Sequence, residues 1–321
     1  MQRLERLKLA IVSVGLWSRG MDEALRRLPR SLRCIELEST CMGSFVCTGL
    51  RQATWLRKII LSIPECKVNC VQLPNMLQDC TMELSDATVH VPLSIPATVR
   101  RITLNMVRTQ LCIPLQLQEC NQLEELTVNA KGMSTDHVTT FLQSLNQGSP
   151  LKRLELTTLG NDGSIPTMLC DVLRMYRHTL KHVHISFTVH CPIPDISQVC
   201  GALTMIQNLE DASLTLHDNP EATTICTKEV FHVLPMIQQL KLHVSNLCMT
   251  DDCVAFLATV ALERSRLHHY TDLYVHSRDI GTSSVSALAK VAIAPRCSVH
   301  IATDRKTSME IVTLALVGGM L

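Results

Sequence analysis

The sequence predicts an α/β fold in which short parallel strands alternate with helices. Three observations indicate this class. A strand-like phrase, apolar-x-x-apolar-x-apolar, recurs along the chain, apolar residues between the phrases have helical spacing, and the hydrophobic fraction of 46% is that of a folded protein. Short strands that alternate with helices form a parallel sheet with the helices outside it.

The strand phrase occurs twelve times, at intervals of 20 to 33 residues with a mean of about 26. Its copies are LERLKL (4–9), LRCIEL (32–37), LRKIIL (56–61), DCTMEL (79–84), VRRITL (99–104), LEELTV (123–128), LKRLEL (151–156), LKHVHI (180–185), DASLTL (211–216), IQQLKL (237–242), YTDLYV (270–275) and RCSVHI (296–301). Such a period indicates a repeat architecture. The stretch 62–100 fits poorly, because VNCVQL (68–73) also matches the phrase, and an irregular region is expected there.

Between the later phrases, four segments predict helices: 134–145, 165–176, 250–262 and 282–292. Each opens with a Ser, Thr, Asp or Pro start signal and then spaces apolar residues for one buried face. The arginine-rich N terminus already contains the first phrase. It is therefore interpreted as a strand rather than as a mitochondrial transit peptide.

The segments LTVNAKGMSTDHVTTFLQSL (126–145) and LYVHSRDIGTSSVSALAKVA (273–292) resemble repeats of the ribonuclease-inhibitor-like (RNI-like) leucine-rich-repeat family. The resemblance covers nearly the whole chain, although the asparagine that the family carries after the strand is mostly missing. It implies one solenoid domain over residues 1–321, with about 11–12 degenerate repeats. The strands of this solenoid form a curved parallel sheet on the concave face, and the helices lie on the convex face.

Side chains of a strand alternate between its two faces, so the residues that flank the inner apolar positions line the concave face. On three consecutive strands the residue directly after the phrase is a histidine: His217, His243 and His276. These three are predicted to lie at one level of the sheet. We predict a partner-binding surface on this face, formed by Arg153, Glu155, His182, His184, His217, Lys241, His243, Asp272, Tyr274 and His276.

Three interpretations of the histidines compete. They are a solvated polar surface, a pH-sensitive binding patch that titrates near the unperturbed His pKa of ~6.5, or a metal site built from imidazoles of neighbouring strands. No carboxylate or cysteine shares the predicted level, which disfavours the metal. The hypothesis we carry forward is a binding face for a protein partner, with no metal site assigned.

Several function classes are disfavoured. A net charge of +1 and a mixture of acidic and basic residues on the predicted face argue against nucleic acid. We find no P-loop, no Gly-x-Ser-x-Gly, no His-Glu-x-x-His and no Gly-x-Gly-x-x-Gly after a strand, so no catalytic residue and no cofactor is assigned. The uncharged stretch IVTLALVGGML (311–321) is shorter than the ~20 residues of a membrane span, and none is predicted.

Fifteen cysteines, an odd number, occur without a secretory signal pattern or a glycosylation sequon. This favours a reducing, intracellular location. The cytoplasm is expected, with a mitochondrion or another organelle left open. The predicted function is a non-enzymatic scaffold or adaptor that binds a protein. The alternative is a structural subunit built permanently into a large intracellular assembly, such as an organellar or cytoskeletal complex.

Overall fold

The protein, described by a computed structural model, divides into two compact units, residues 1–159 and 160–321. The structure describes residues 4–11, 19–40, 43–113, 115, 117–158, 164–188, 193–217, 239–245, 251–267, 269–276 and 282–302. Each unit combines a parallel sheet with helices. The predicted α/β class is therefore confirmed.

In its described residues the first unit contains two parallel sheets. Its helices are α1 (Arg19–Arg26) and α2 (Thr135–Gln143), and its strands are β1 (Arg6–Ile11), β2 (Cys34–Ser39), β3 (Ser44–Cys47), β4 (Lys58–Ser62), β5 (Lys67–Val71), β6 (Asp79–Glu83), β7 (Thr88–Val89), β8 (Arg101–Asn105), β9 (Gln110–Leu111), β10 (Glu125–Ala130) and β11 (Arg153–Thr158). The main sheet runs in the order β1-β2-β4-β6-β8-β10-β11, and the smaller sheet in the order β3-β5-β7-β9. The N-terminal phrase is thus a strand, as predicted.

Alternate residues of the main strands enter the core. On β2, Ile35 and Leu37 are 0% and 2% exposed, while Glu36 between them is half-buried on the other side. Behind the sheet, Val128 of β10 lines the same small apolar void as Phe141 of α2 and Leu111 of β9. Helix α2 and the smaller sheet therefore cover the same, buried side of the main sheet.

The connections from β4, β6 and β8 turn through a residue with positive φ: Glu65 (58°), Asp86 (59°) and Arg108 (52°). Gly132 (76°) occupies the corresponding place after β10. The turns bond to one another, because the Asp86 amide donates to the Val107 carbonyl at 2.8 Å. Short strands follow the first three turns, whereas α2 follows the fourth. The stretch 62–100 thus departs from a strand-and-helix pattern because β5 and β7 stand where a helix is expected.

The second unit carries one parallel sheet in its described residues, in the order β12-β13-β14-β15-β16. Its strands are β12 (His182–Thr188), β13 (Asp211–His217), β14 (Gln239–Ser245), β15 (Tyr270–His276) and β16 (Cys297–Ala302), and its helices are α3 (Ser164–Met175), α4 (Ile193–Thr204), α5 (Asp251–Arg266) and α6 (Thr282–Ala292). The four predicted helices are confirmed as α2, α3, α5 and α6. Helix α4 was not predicted, and neither was α1.

One arginine of α5 is buried in the second unit. Arg264 is 0% exposed, and its Nε donates to the Thr271 hydroxyl at 2.6 Å while its Nη2 donates to the Tyr270 carbonyl at 2.7 Å. Both acceptors belong to β15. The side chain therefore fastens the end of α5 to the start of the next strand.

Cysteine serves mainly as a small core residue in the described chain. The nine cysteines whose side chains the structure describes are thiols outside any disulfide, and six of them are buried. Burial raises the pKa of Cys47 and of Cys80 to about 12. These two thiols therefore stay protonated and unreactive at neutral pH.

A carboxylate of α1 caps the short 3-10 helix Gly49–Gln52. Asp22 accepts hydrogen bonds from the backbone amides of Thr48 at 2.7 Å and of Gly49 at 2.6 Å, and also from the Thr48 hydroxyl. Thr48, the residue at the cap position, makes no capping bond with its own side chain. Burial raises the pKa of Asp22, but the bonds from Thr48 and Gly49 outweigh it, so the pKa lies below its ordinary value.

We expect Asp22→Asn to lower the free energy of unfolding by about 1–3 kcal/mol at pH 7, because hydrogen bonds to a charged acceptor are the stronger ones. A carboxyl whose pKa is depressed by folding stabilises the protein above its unfolded pKa of ~3.9 and loses that contribution as the pH falls through the lower folded value. Wild type and Asp22→Asn should therefore converge in acid. Urea titrations at several pH values measure this.

The matched control is Glu23→Gln on the same helix. Glu23 is 49% exposed, and among the described residues its ion pairs are with Arg26 and Arg27 of its own segment, so the change should stay within about 0.5 kcal/mol. A constant difference between wild type and Asp22→Asn at all pH values would contradict the assignment to the Asp22 charge.

Candidate binding face

The main sheet of the first unit presents three rows of side chains on the side away from its core, which we call the open face. The strands keep an unbroken register, so equivalent residues of neighbouring strands lie next to one another, ~4.8 Å apart. From β1 to β11 the first row is Arg6, Cys34, Lys58, Asp79, Arg101, Glu125 and Arg153; the middle row is Lys8, Glu36, Ile60, Thr81, Thr103, Thr127 and Glu155; the last row is Ala10, Glu38, Ser62, Glu83, Asn105, Asn129 and Thr157.

At the β1 end of the open face, opposite charges neutralise one another. Lys8 Nζ lies 2.5 Å from Glu36 Oε1 and 3.6 Å from Glu38 Oε2, and Arg6 Nη2 lies 3.5 Å from Glu36 Oε2. The hydrogen bond from Lys8 lowers the pKa of Glu36, and the same bond raises the pKa of Lys8. This end is a paired, solvated surface with little net charge.

At the β11 end, the structure brings the predicted site residues Arg153 and Glu155 together. The Arg153 guanidinium donates to Glu155 Oε1, with its Nε at 2.7 Å. Glu155 also accepts from the Thr127 hydroxyl at 3.1 Å. The charges of Arg153 and Glu155 therefore neutralise each other within the open face.

Between these ends lies a groove of about 300 Å³ across β4, β6, β8 and β10. Its lining residues on the open face are Lys58, Asp79, Thr81, Arg101, Thr103, Glu125 and Thr127. Arg101 donates to both oxygens of Asp79 at 2.7 Å, and these hydrogen bonds to Asp79 raise the pKa of Arg101. An ion pair without net charge therefore lies in the middle of the first row. Beside it, Thr81, Thr103 and Thr127 of the middle row form the floor of the groove.

In the second unit, the three histidines of the sheet whose side chains are described, His182, His184 and His300, each lie within 4.0 Å of a carboxylate. His184 Nε2 lies 3.4 Å from Asp211 Oδ2, and His182 Nε2 lies 3.7 Å from Glu210 Oε2. The predicted site residue Asp272 lies next to a histidine that was not selected, His300, with its Oδ1 3.6 Å from Nε2. These side chains form separate pairs of imidazole and carboxylate.

The prediction that three histidines lie at one level of the sheet is wrong. His217 of β13 and His276 of β15 both pair with Ser245 of β14. His243 of β14 pairs instead with Tyr274 of β15. The backbone of His243 therefore lies two residues earlier along its strand than the level of the other two histidines.

Five predicted site residues have side chains that lie outside the described part of the structure: His217, Lys241, His243, Tyr274 and His276. Their backbone positions are described, and Lys241 pairs with Asp272 in the register of β14 and β15. Their role in partner binding stays a prediction.

The sequence prediction omitted the residues that line the groove. Lys58 and Arg101 flank the inner apolar positions of their strands, which is where the alternation of side chains predicts the open face, but neither was selected. Charge alternation along the first row was the available signal. Without the register, that alternation cannot be separated from an ordinary solvated surface.

Two further observations concern the described residues alone. No group of three or more His, Cys, Asp or Glu side chains among them is arranged to hold a metal ion. None of the described helices is long and apolar enough to cross a membrane.

No family model matches the chain, and no curated protein matches it.

Proposed function

We propose that the chain is a non-enzymatic, intracellular interaction scaffold or adaptor that binds a protein partner through the open face. In this proposal residues 1–321 form a single RNI-like leucine-rich-repeat solenoid, and the open face is its concave side. The observation that carries the proposal is the three-row grid of the first unit. Its side chains stand in register on seven strands, so a partner meets a regular, rigid surface.

The chemistry of the grid supports a protein partner in particular. Acidic and basic side chains alternate along the first row from Lys58 to Arg153. Arg101 pairs with Asp79 and Arg153 pairs with Glu155, while hydroxyl and amide groups of the other two rows lie beside them. Such a surface offers donors and acceptors of both kinds. A phosphate backbone, in contrast, is bound by a stripe of a single sign.

The test is capture of partners from an extract of cells that express the protein. Thr103, an exposed residue at the centre of the grid, is changed to Arg. We expect the recovery of at least one specific partner to fall about tenfold or more, because a long charged side chain there fills the groove. Quantitative mass spectrometry of the captured proteins measures it.

The matched control is Gln110→Arg, an equally exposed position on β9 of the smaller sheet. A third variant, His182→Ala with His184→Ala, tests the second unit separately. All variants must match wild type in thermal unfolding. Equal recovery of the same proteins by wild type and Thr103→Arg would overturn the proposal.

A structural subunit of a large assembly is the second candidate. It is favoured by exposed apolar side chains directly after three helix ends: Met205 after α4, Leu267 after α5 and Ile293 after α6 are 58%, 59% and 74% exposed. A permanent assembly buries such residues, since obligate interfaces are the more hydrophobic ones. If this candidate is right, the endogenous protein sediments wholly with a large complex, and the same complex is recovered with Thr103→Arg.

A further inference from the structure

The groove of the open face has an unbalanced charge at each end. Lys58 on β4 is exposed, and among the described residues no carboxylate lies within 4.0 Å of its ammonium group. Glu125 on β10 is exposed as well and has no cation within that distance in the described chain. Its two first-row neighbours, Arg101 and Arg153, donate to Asp79 and Glu155 instead. The groove is therefore basic at its β4 end and acidic at its β10 end.

The spacing of these two charges sets a length. Three steps between neighbouring strands separate β4 from β10, which is about 14 Å at ~4.8 Å per step. An extended polypeptide rises about 3.4 Å per residue. A segment that lies across the strands therefore covers the distance from Lys58 to Glu125 in about four residues.

The floor between the two charges is neutral and can hydrogen-bond. Thr81 and Thr103 occupy the middle row there, and each hydroxyl is both a donor and an acceptor. The third threonine, Thr127, already donates to Glu155. The Arg101–Asp79 pair forms the wall on the first-row side with both partners satisfied. An uncharged middle section therefore suits this floor.

We propose that this groove selects an extended peptide segment of the protein partner that carries an acidic side chain and, about four residues away, a basic side chain. The acidic side chain lies against Lys58 and the basic one against Glu125. Small polar residues lie between them, above Thr81 and Thr103. This specificity rests on the proposed function and assigns the recognised chemistry to one part of the open face.

The probe is a random 12-residue peptide library displayed on phage and selected against the intact chain. The enriched peptides are expected to share an acidic and a basic residue three to five positions apart. Affinity of one synthetic enriched peptide is then measured by fluorescence anisotropy. Lys58→Glu and Glu125→Lys should each weaken it about five- to tenfold at low salt and less at high salt, because screening weakens exposed ion pairs.

The sharper test is an exchange of charge. The double variant Lys58→Glu, Glu125→Lys should bind a peptide in which the acidic and basic residues have been interchanged, and should bind it about as well as wild type binds the original. Lys67→Glu and Glu119→Lys are the matched reversals, at exposed positions outside the three rows, and should leave affinity unchanged.

Three outcomes overturn the inference: no peptide is enriched, the enriched peptides lack this charge spacing, or Lys58→Glu and Glu125→Lys leave the affinity unchanged. Unchanged affinity in the two reversals can be distinguished from a failure of the proposed function. If Thr103→Arg abolishes peptide binding while both reversals leave it intact, the open face still binds a protein segment but not by these charges. If Thr103→Arg also has no effect on peptide binding or on partner capture, the proposed function fails with it.

Discussion

Arg264→Ala is expected to lower the free energy of unfolding by about 3–5 kcal/mol. The change leaves the buried Thr271 hydroxyl and the Tyr270 carbonyl without the donors that now serve them, and it opens a cavity where a fully buried side chain stood. Burial lowers the pKa of Arg264 to about 10, so the guanidinium stays charged and keeps both bonds at neutral pH. Guanidinium chloride unfolding followed by circular dichroism measures the loss.

The control for this prediction is Arg266→Ala, two residues later in the same helix and exposed. It removes the same charge from the same turn, so it should change stability by no more than about 0.5 kcal/mol. Arg264→Lys should fall between the two, since one ammonium cannot reproduce the two differently placed N–H donors of the guanidinium. Equal losses for Arg264→Ala and Arg266→Ala would show that the buried contacts contribute nothing.

Gly49→Ala should lower the free energy of unfolding by about 2–3 kcal/mol, the upper part of the ~1–3 kcal/mol expected for a group forced into a packed site. A Cβ at Gly49 would stand 2.3 Å from the backbone oxygen of Asp22 and 3.0 Å from Cβ of Leu25. The backbone of α1 must then move away, and the hydrogen bonds from Thr48 and Gly49 to the Asp22 carboxylate lengthen. Thermal and denaturant unfolding of the intact chain show whether the change is of this size.

Gly201→Ala is the counterpart, because a Cβ at this position of α4 meets nothing within 4 Å. Alanine favours a helix over glycine, so this variant should be more stable by about 0.5–1 kcal/mol. The same substitution, Gly to Ala, is therefore expected to lower the stability at position 49 and to raise it at position 201. A stabilising Gly49→Ala would mean that α1 does not lie so close to the 3-10 helix.

The sequence could predict which residues form strands and which face each side chain takes. Leu126, Val128 and Leu154 occupy inner positions of confirmed strands and are 2% exposed or less. Later helices were also predictable, since cap residues and helical spacing act locally. The smaller sheet was not, because β7 and β9 are only two residues long and leave no periodic pattern.

Register was harder to predict than the strands themselves, and the reason lies in a few small residues. On four strands the inner position is filled by a small residue: Cys80 pairs with Ile102, Ala212 and Thr271 pair with Leu240, and Cys297 pairs with Thr271. These four are 8% exposed or less, so they belong to the core. A pattern of large apolar residues does not include them, so the first inner position of each of these strands is predicted two residues too late.

An error of two residues preserves the face and changes the neighbours. Side chains alternate with a period of two, so Cys80 and Met82, two residues apart on β6, both lie on the buried side of their strand. What changes is which residues of adjacent strands meet, as with Lys241 and Asp272. The sequence therefore predicts which residues share one face of the sheet, but it does not predict which of them are neighbours.

The stacked turns at Glu65, Asp86 and Arg108 determine where the chain tolerates insertion. Each turn is bonded to the next, and Arg108 donates to both carboxylate oxygens of Asp86 at 2.7 and 2.8 Å. One extra residue there would misalign two neighbouring connections at once. The exposed residues Gln147 and Gly148 lie outside this stack. A fluorophore or an epitope tag therefore belongs at 147–148, where it reports on the protein without disturbing its sheets.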